Sequence, residues 1–170
     1  MTDRGLREVP NPSEAMLASR PKNVSGNCAA CVMEGTRPLI TEIQALTAQT
    51  AYPTAKRTSD GIDYNRMFLL IAVLEKRMGL KLAAMDIYLN VIGGLHLTET
   101  AADVAVALAI YSSLKDKPVP DDLIAFGEIG LAGEVRAVSG IDGRVSEAVR
   151  LGFRKIVLPA KCAAKLDVHT

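Results

Sequence analysis

The sequence predicts an α/β domain, a mixed β-sheet packed mainly against helices, and three observations carry that expectation. Extended and helical periodicities follow one another as two or three strands, helix, strand, helix, strands, helix, strand, an order that layers helices on a sheet. The 170 residues are 49% hydrophobic and 23% charged, enough chain for one compact unit that buries roughly two thirds of its unfolded surface. With no Trp, three Phe and four Tyr, the core must be built from Ala, Val, Leu, Ile and Met, which suits helix-on-sheet layers.

Taken in order, residues 1–25 hold Pro10, Pro12 and Pro21 among Asn11, Ser13, Ser19, Asn23 and Ser25 and read as a linker or docking arm. Residues 28–34 and 38–50 read as extended segments joined at Gly35-Thr36-Arg37, a hairpin. The stretch 51–61, AYPTAKRTSDG, is turn-rich and basic. Over 63–78 the apolar residues Met67, Leu70, Ile71, Leu74 and Met78 recur at helical spacing, with Gly79 as the stop. Residues 86–92 alternate like a strand. Thr100-Ala-Ala-Asp103 resembles a capping box and opens a helix to Leu114 that is apolar on nearly every side and should be buried. A strand at 123–126, a glycine hairpin of 128–131 and 134–138, a helix over 142–151 and a strand at 155–158 complete the pattern.

Composition narrows the function. No apolar run is long enough to span a membrane and the N-terminus has no secretory stretch, so a soluble, cytoplasmic protein without a membrane partner is expected. Cys28, Cys31 and Cys162 offer no disulfide framework. The Cys28-Ala-Ala-Cys31 pair lacks two further zinc ligands, His96 and His169 being the only histidines. On a strand its thiols would face opposite ways, so small buried hydrophobes are the simpler reading and no metal is expected. The net charge of +1 conceals a pattern: residues 53–81 and 142–170 each carry six basic and three acidic groups, residues 82–135 two and eight.

The segment Gly127-Glu-Ile-Gly-Leu-Ala-Gly-Glu-Val135 resembles the G-E-(I/V)-(T/G)-L-x-G-x-V segment in the proteolytic domain of Lon proteases. Laid alongside without gaps, residues 93–103 fall on the D-G-P-S-A-G serine motif and Val138-Ser-Gly-Ile-Asp-Gly-Arg144 on the segment carrying the dyad lysine. Ala101 then takes the serine position and Arg144 the lysine position. Closer still is the likeness to the C-terminal part of the bacterial RadA (Sms) family of DNA-repair proteins. It rests on Gly5-Leu-Arg-Glu-Val-Pro-Asn-Pro-Ser-Glu14, Glu34-Gly-Thr-Arg-Pro-Leu39, Glu42-Ile-Gln-Ala-Leu46, Asp63-Tyr-Asn-Arg66, Val91-Ile-Gly-Gly94, Thr98-Glu-Thr100 and residues 127–135. These matches run over almost the whole chain, and together they are specific.

The resemblance implies a Lon proteolytic-domain-like (ribosomal protein S5 domain 2-like) fold over residues 26–170, with residues 1–25 trailing from a missing RecA-like ATPase. ATP, magnesium and zinc belong, on this reading, to the missing N-terminal domains, and no cofactor to this chain. An alanine methyl cannot attack a carbonyl, and an arginine stays charged and cannot serve as a general base, so a degenerate dyad and no peptidase activity are expected. The hydroxyls of Thr100, Ser112, Ser113, Ser139 and Ser146 come without a base and read as caps or packing groups. His96 reads as a packed or surface residue, and Glu128 and Glu134 as solvated charges or interface ion pairs.

The expected function is that of a non-proteolytic module acting in DNA repair and recombination, with DNA and further copies of itself as partners and a hexameric ring implied for the full-length family. Candidate DNA contacts are Lys56, Arg57, Arg66, Lys76 and Arg77, the last three taken to project away from the apolar face of their helix, with Arg150, Arg154 and Lys155 in the second basic segment. Asp121, Asp122 and Glu134 are expected to meet basic surface on a neighbouring copy. Two alternatives stand beside this one: an oligomerisation or peptide-binding module without DNA contact, and a divergent Lon-like peptidase. A salt titration of DNA binding separates the first alternative, and a peptidase assay the second.

Overall fold

A computed structural model of the protein describes residues 12–164 and 166. Residues 1–11 of the expected arm, and His169, lie outside the described residues. In chain order the elements are α1 (Pro12–Leu17), β1 (Asn27–Glu34), β2 (Arg37–Gln49), β3 (Arg57–Asp60), α2 (Tyr64–Met78), β4 (Met85–Val91), a 3-10 turn (Thr100–Ala102) running into α3 (Asp103–Lys115), β5 (Leu123–Ala125), β6 (Glu128–Ile129), β7 (Val135–Arg136), α4 (Ile141–Arg150), β8 (Lys155–Val157) and α5 (Ala160–Ala163).

Six strands form one mixed sheet in the order β3-β4-β2-β1-β5-β8, and β6 and β7 form a separate two-stranded hairpin. The β1–β2 and β2–β4 pairs are antiparallel; β1–β5, β3–β4 and β5–β8 are parallel. The molecule is therefore an α/β domain with a mixed sheet packed against helices. Successive side chains of a strand point to opposite faces, and β1 divides its residues accordingly. Cys28, Ala30 and Val32 enter the larger core layer with Leu70 and Leu74 of α2 and Ala105 and Ala109 of α3, whereas Ala29 and Cys31 enter a second layer with Phe126, Phe153 and Ala148 of α4. The two thiols of the C-x-x-C thus lie on opposite sides of the sheet, and burial pushes each up to about 12.

α2 has the ends its sequence announces. Asp63 accepts a hydrogen bond from the Arg66 amide at 2.8 Å, and Gly79, at φ 66°, turns left-handed so that its amide bonds Glu75 O at 3.1 Å. The turn between β3 and α2 needs a glycine for a different reason. Gly61 sits at φ 82°, and a Cβ there would come within 2.5 Å of the Leu95 carbonyl, which lies close because Leu97 N donates to Gly61 O at 2.8 Å.

Two features depart from the sequence reading, β3 and the entry to α3, and the arm gains a definite place. β3 forms where a turn-rich loop was expected, because a four-residue edge strand of Arg-Thr-Ser-Asp has no apolar alternation to betray it. From Pro12 onward the expected linker or docking arm packs on the sheet: α1 is helical, Ser13 Oγ accepts from the Ile40 amide at 3.0 Å, and Arg20 lies 2.8 Å from the buried Glu42 carboxylate. The capping box at the entry to α3 does not form. Thr100 donates instead to Glu128 at 3.0 Å, and the Asp103 carboxylate turns away to Arg66 and the Ile129 amide. Among the described residues, no helix is long and apolar enough to cross a membrane.

Candidate functional site

α4 is amphipathic, and Arg144 sits on its inward face: Ile141, Arg144, Val145 and Ala148 follow the i, i+3, i+4, i+7 spacing that packs a helix on a sheet. The guanidinium is 0% exposed and nearly all of its donors are engaged. Nε donates to Ser139 O at 2.9 Å, Nη1 to Cys31 O and to Glu99 Oε1 at 2.9 Å, and Nη2 to Glu99 Oε2 at 2.8 Å. Glu99 Oε1 also accepts from the Met33 amide at 2.6 Å. This is a bidentate, charge-assisted fork that ties α4, β1 and the approach to α3 at one point. Glu99 stands two residues before Ala101, whose methyl is buried. At the two positions that the Lon resemblance assigns to the dyad, one side chain has no functional group. The other is a cation committed to hydrogen bonds.

Four residues further on, a second couple holds the same turn from the other side. Arg66 of α2 donates through Nε to Asp103 Oδ1 at 3.0 Å and through Nη2 to Oδ2, while the same Nη2 reaches Ile129 O at 2.9 Å. The Ile129 amide returns a bond to Asp103 Oδ2 at 2.9 Å. Burial pushes the Asp103 carboxyl above its ordinary value, outweighing the pull of Arg66 and the Ile129 amide in the opposite direction. Arg66 itself is held higher by the same contact. Between the couples opens a cleft of about 270 Å³ lined by Ile62, Asp63, Arg66, Leu97, Glu99 and Asp103, among others. Sequence reasoning found Ala101 and Arg144 but neither Glu99 nor the Arg66–Asp103 pair. Arginine at a core-facing position of an amphipathic helix was the available signal for a buried counter-charge.

The hydroxyls of Ser112 and Ser113, at the other end of α3, are used in internal hydrogen bonds. Ser112 accepts from the Gly26 amide and donates to Lys117 O, Ser113 meets Thr47, and His96 is exposed. Among the described residues, no group of three or more His, Cys, Asp or Glu side chains could hold a metal ion.

Of the eight basic candidates, Arg57 lies on β3 and Lys155 on β8, the opposite edges of the sheet, whereas Arg66, Lys76 and Arg77 are on α2 and Arg150 on α4. Five strand spacings separate the two edge strands, roughly 24 Å. On the β3 side, Lys56 is exposed and its ammonium lies 3.7 Å from the centre of the Tyr52 ring; hydrogen bonding to the Tyr52 side chain raises its pKa. Arg57 is occupied: its guanidinium donates to the carbonyls of Lys56, Leu82 and Met85. Arg66 does not project away from the packed face of α2 but turns in to Asp103, which corrects the helical-wheel expectation. The solvent side of α2 instead carries Lys76 with Tyr64, Phe68 and Leu69, and Met78, expected inside, is exposed. Arg77 lies over the β6–β7 turn, Nε 3.4 Å from Leu131 O.

At the end of α4, Arg150 pairs with Glu147 through bonds of 2.9 and 2.6 Å, which holds Glu147 below the usual carboxylate range, and lies 3.7 Å from Glu14 of α1. Lys155 lies 3.2 Å from Asp122, and Arg154 is exposed. Of the acidic groups expected to face a neighbour, Asp122 is taken by Lys155 and Asp121 accepts from the Asn23 amide at 3.1 Å.

Residues 67–162, over half of the chain, match the family model described as subunit ChlI of Mg-chelatase. The chain belongs to this family. The match runs from the second turn of α2 to α5 and so contains both Ala101 and Arg144. At the level of single proteins, the chain's homologues are named DNA repair protein RadA. It is 48% identical over 160 residues to the RadA of Escherichia coli (strain K12) and 50% identical over 159 residues to that of Listeria monocytogenes serovar 1/2a, each alignment covering 94% of this chain and 35% of the relative. The Bacillus subtilis (strain 168) RadA is 48% identical over all 170 residues, 36% of its own length. The chain thus spans about a third of the length of the curated relatives it matches, a C-terminal portion.

Proposed function

We propose that this chain is a non-proteolytic, Lon-like module of a RadA-type DNA repair and recombination ATPase, which binds DNA through exposed basic side chains and helps to hold a ring of copies together. The observation that carries the first half is the Arg144 fork. A dyad base must shed its proton near neutral pH, and a buried guanidinium bonded to Glu99, Cys31 O and Ser139 O stays charged. With a methyl group at Ala101 there is also no nucleophile. The DNA half is supported by the RadA relatives and by Lys56, Lys76 and Arg154, which are exposed at positions where phosphates could reach them.

The 170-residue chain tests both halves. An unstructured protein substrate should remain uncleaved, and Ala101→Ser alone should gain no labelling by a serine-directed covalent probe; turnover that survives repurification overturns the non-proteolytic reading. DNA binding should weaken steeply with salt and show little sequence preference. Replacing Lys56 and Arg154 together by alanine should flatten the slope of log affinity against log salt by about one to two units. An oligomerisation module without DNA contact is favoured by the internal engagement of Arg57, Arg66 and Lys155. Salt-independent self-association with no DNA binding would decide for it.

A further inference from the structure

Only one side of α1 is used against the sheet. Ser13 Oγ accepts from the Ile40 amide, and Leu17 packs on the core layer that holds Phe126 and Phe153. Pro12, Ala15 and Met16 stand at the i, i+3, i+4 spacing of a different side, and Ser19 follows the helix. With Ile92 and Gly93, which come directly after β4, these four residues line an open groove of about 470 Å³. No charged side chain is among the six. Met16 packs against Gly93, where an added Cβ would stand 3.4 Å from the methionine side chain, while Ala15 and Ser19 are exposed.

We propose that this groove is the docking site of the chain's own residues 6–10, Leu6-Arg7-Glu8-Val9-Pro10, with Val9 and Leu6 as the side chains that fill it. Reach, direction and chemistry each select that occupant. The segment joins the described residues at Pro12, itself a wall of the groove, so Val9 is tethered within about 10 Å and Leu6 within about 20 Å. A tether that short gives an effective concentration on the order of millimolar, which a partner from outside must outcompete. Direction follows from how α1 begins. Asn11-Pro12-Ser13-Glu14 is the pattern of a helix start, with proline at the first helical position and glutamate at the third. A chain entering by such a start folds back, so that the residue before the cap meets the fourth helical residue. Here that brings Pro10 to Ala15 and leads the residues before it toward Met16 and Ser19. The chemistry agrees. An uncharged groove calls for apolar side chains, and in Leu6-Arg7-Glu8-Val9 those are three positions apart. Pro10 biases Val9 to an extended form, whose period of three turns Leu6 and Val9 to one side and leaves Arg7 and Glu8 to water.

The experiment is limited trypsin digestion of the folded 170-residue chain, with cleavage after Arg4 and Arg7 followed by mass spectrometry. Each initial rate is divided by that of a synthetic peptide of residues 1–14 with the same arm sequence, and each variant is checked for native circular dichroism. A docked segment is cut only when it opens, so the parent should be cut about tenfold more slowly than its peptide. Leu6→Ser/Val9→Ser should abolish that protection. So should Ala15→Glu/Ser19→Glu, which charges two exposed positions of the groove and leaves the cut sites untouched. If the groove variant fails to fold, Ser19→Glu alone takes its place with the same expectation. A parent cut as fast as its peptide, or protection that survives the groove variant, overturns the proposal. Protection that rises with protein concentration overturns docking within one chain and gives the groove to the arm of a second copy.

Discussion

The two arginine–carboxylate couples around the entry to α3 are mirror images in where they put the buried charge. In Arg144–Glu99 the cation is fully buried and the anion 27% exposed; in Arg66–Asp103 the anion is 4% exposed and the cation 24%. The difference matters because the two buried groups respond differently to losing a partner. A carboxylic acid can take up a proton and become neutral, as the raised pKa of Asp103 already foreshadows. A guanidinium has no such escape, so Arg144 depends on Glu99 at every accessible pH. The turn that carries Ala101 is thus held on the Arg144 side by the less forgiving couple.

Breaking the couples one member at a time separates them. The largest effect is expected from Glu99→Gln, which strands a buried cation; about 3–5 kcal/mol of stability should be lost, read by urea unfolding. Arg144→Lys should cost about 1–3 kcal/mol, because one ammonium cannot reach the acceptors that a planar fork serves. Arg66→Gln should fall in the same range at neutral pH, but its deficit should depend on pH. With Arg66 gone, the Asp103 pKa rises further above its unfolded value. A raised folded-state pKa contributes stability that is complete below the unfolded pKa and lost as pH rises through the folded one. The deficit of Arg66→Gln relative to the parent should therefore shrink as pH falls from 7 toward 4, whereas that of Glu99→Gln should not shrink by this route. Parallel pH profiles would remove the contrast. The smallest effect is expected from Arg150→Ala, whose guanidinium is half exposed and whose loss should cost no more than about 1 kcal/mol by urea unfolding.

How much of this was legible in the sequence follows from which signals are local. The β1–β2 hairpin, α2 with Asp63 and Gly79 at its ends, and the buried α3 announce themselves by period and by cap. β3 does not, since Arg-Thr-Ser-Asp becomes a strand only because β4 offers it an edge. The chemistry of Ala101 and Arg144 was readable from residue type alone, but their surroundings were not. Glu99 meets Arg144 across 45 positions and Asp103 meets Arg66 across 37, and no local pattern encodes either pairing. Nor could the strand order be read, and it is the strand order that sends Arg57 of β3 and Lys155 of β8 to opposite edges. In the same way Arg57, basic and turn-flanked in sequence, proves to be a clamp on the carbonyls of Leu82 and Met85.

The most direct measurement is a double-mutant cycle on the buried fork: urea unfolding of the parent, Glu99→Gln, Arg144→Met and Glu99→Gln/Arg144→Met. If Arg144 is a structural cation whose one requirement is its counter-charge, Glu99→Gln should be the least stable of the four. Adding Arg144→Met to it should then restore most of the loss, because an apolar side chain of similar reach removes the unpaired charge. A Glu99→Gln protein as stable as the parent, or a double variant that loses the sum of the two single changes, would contradict that role.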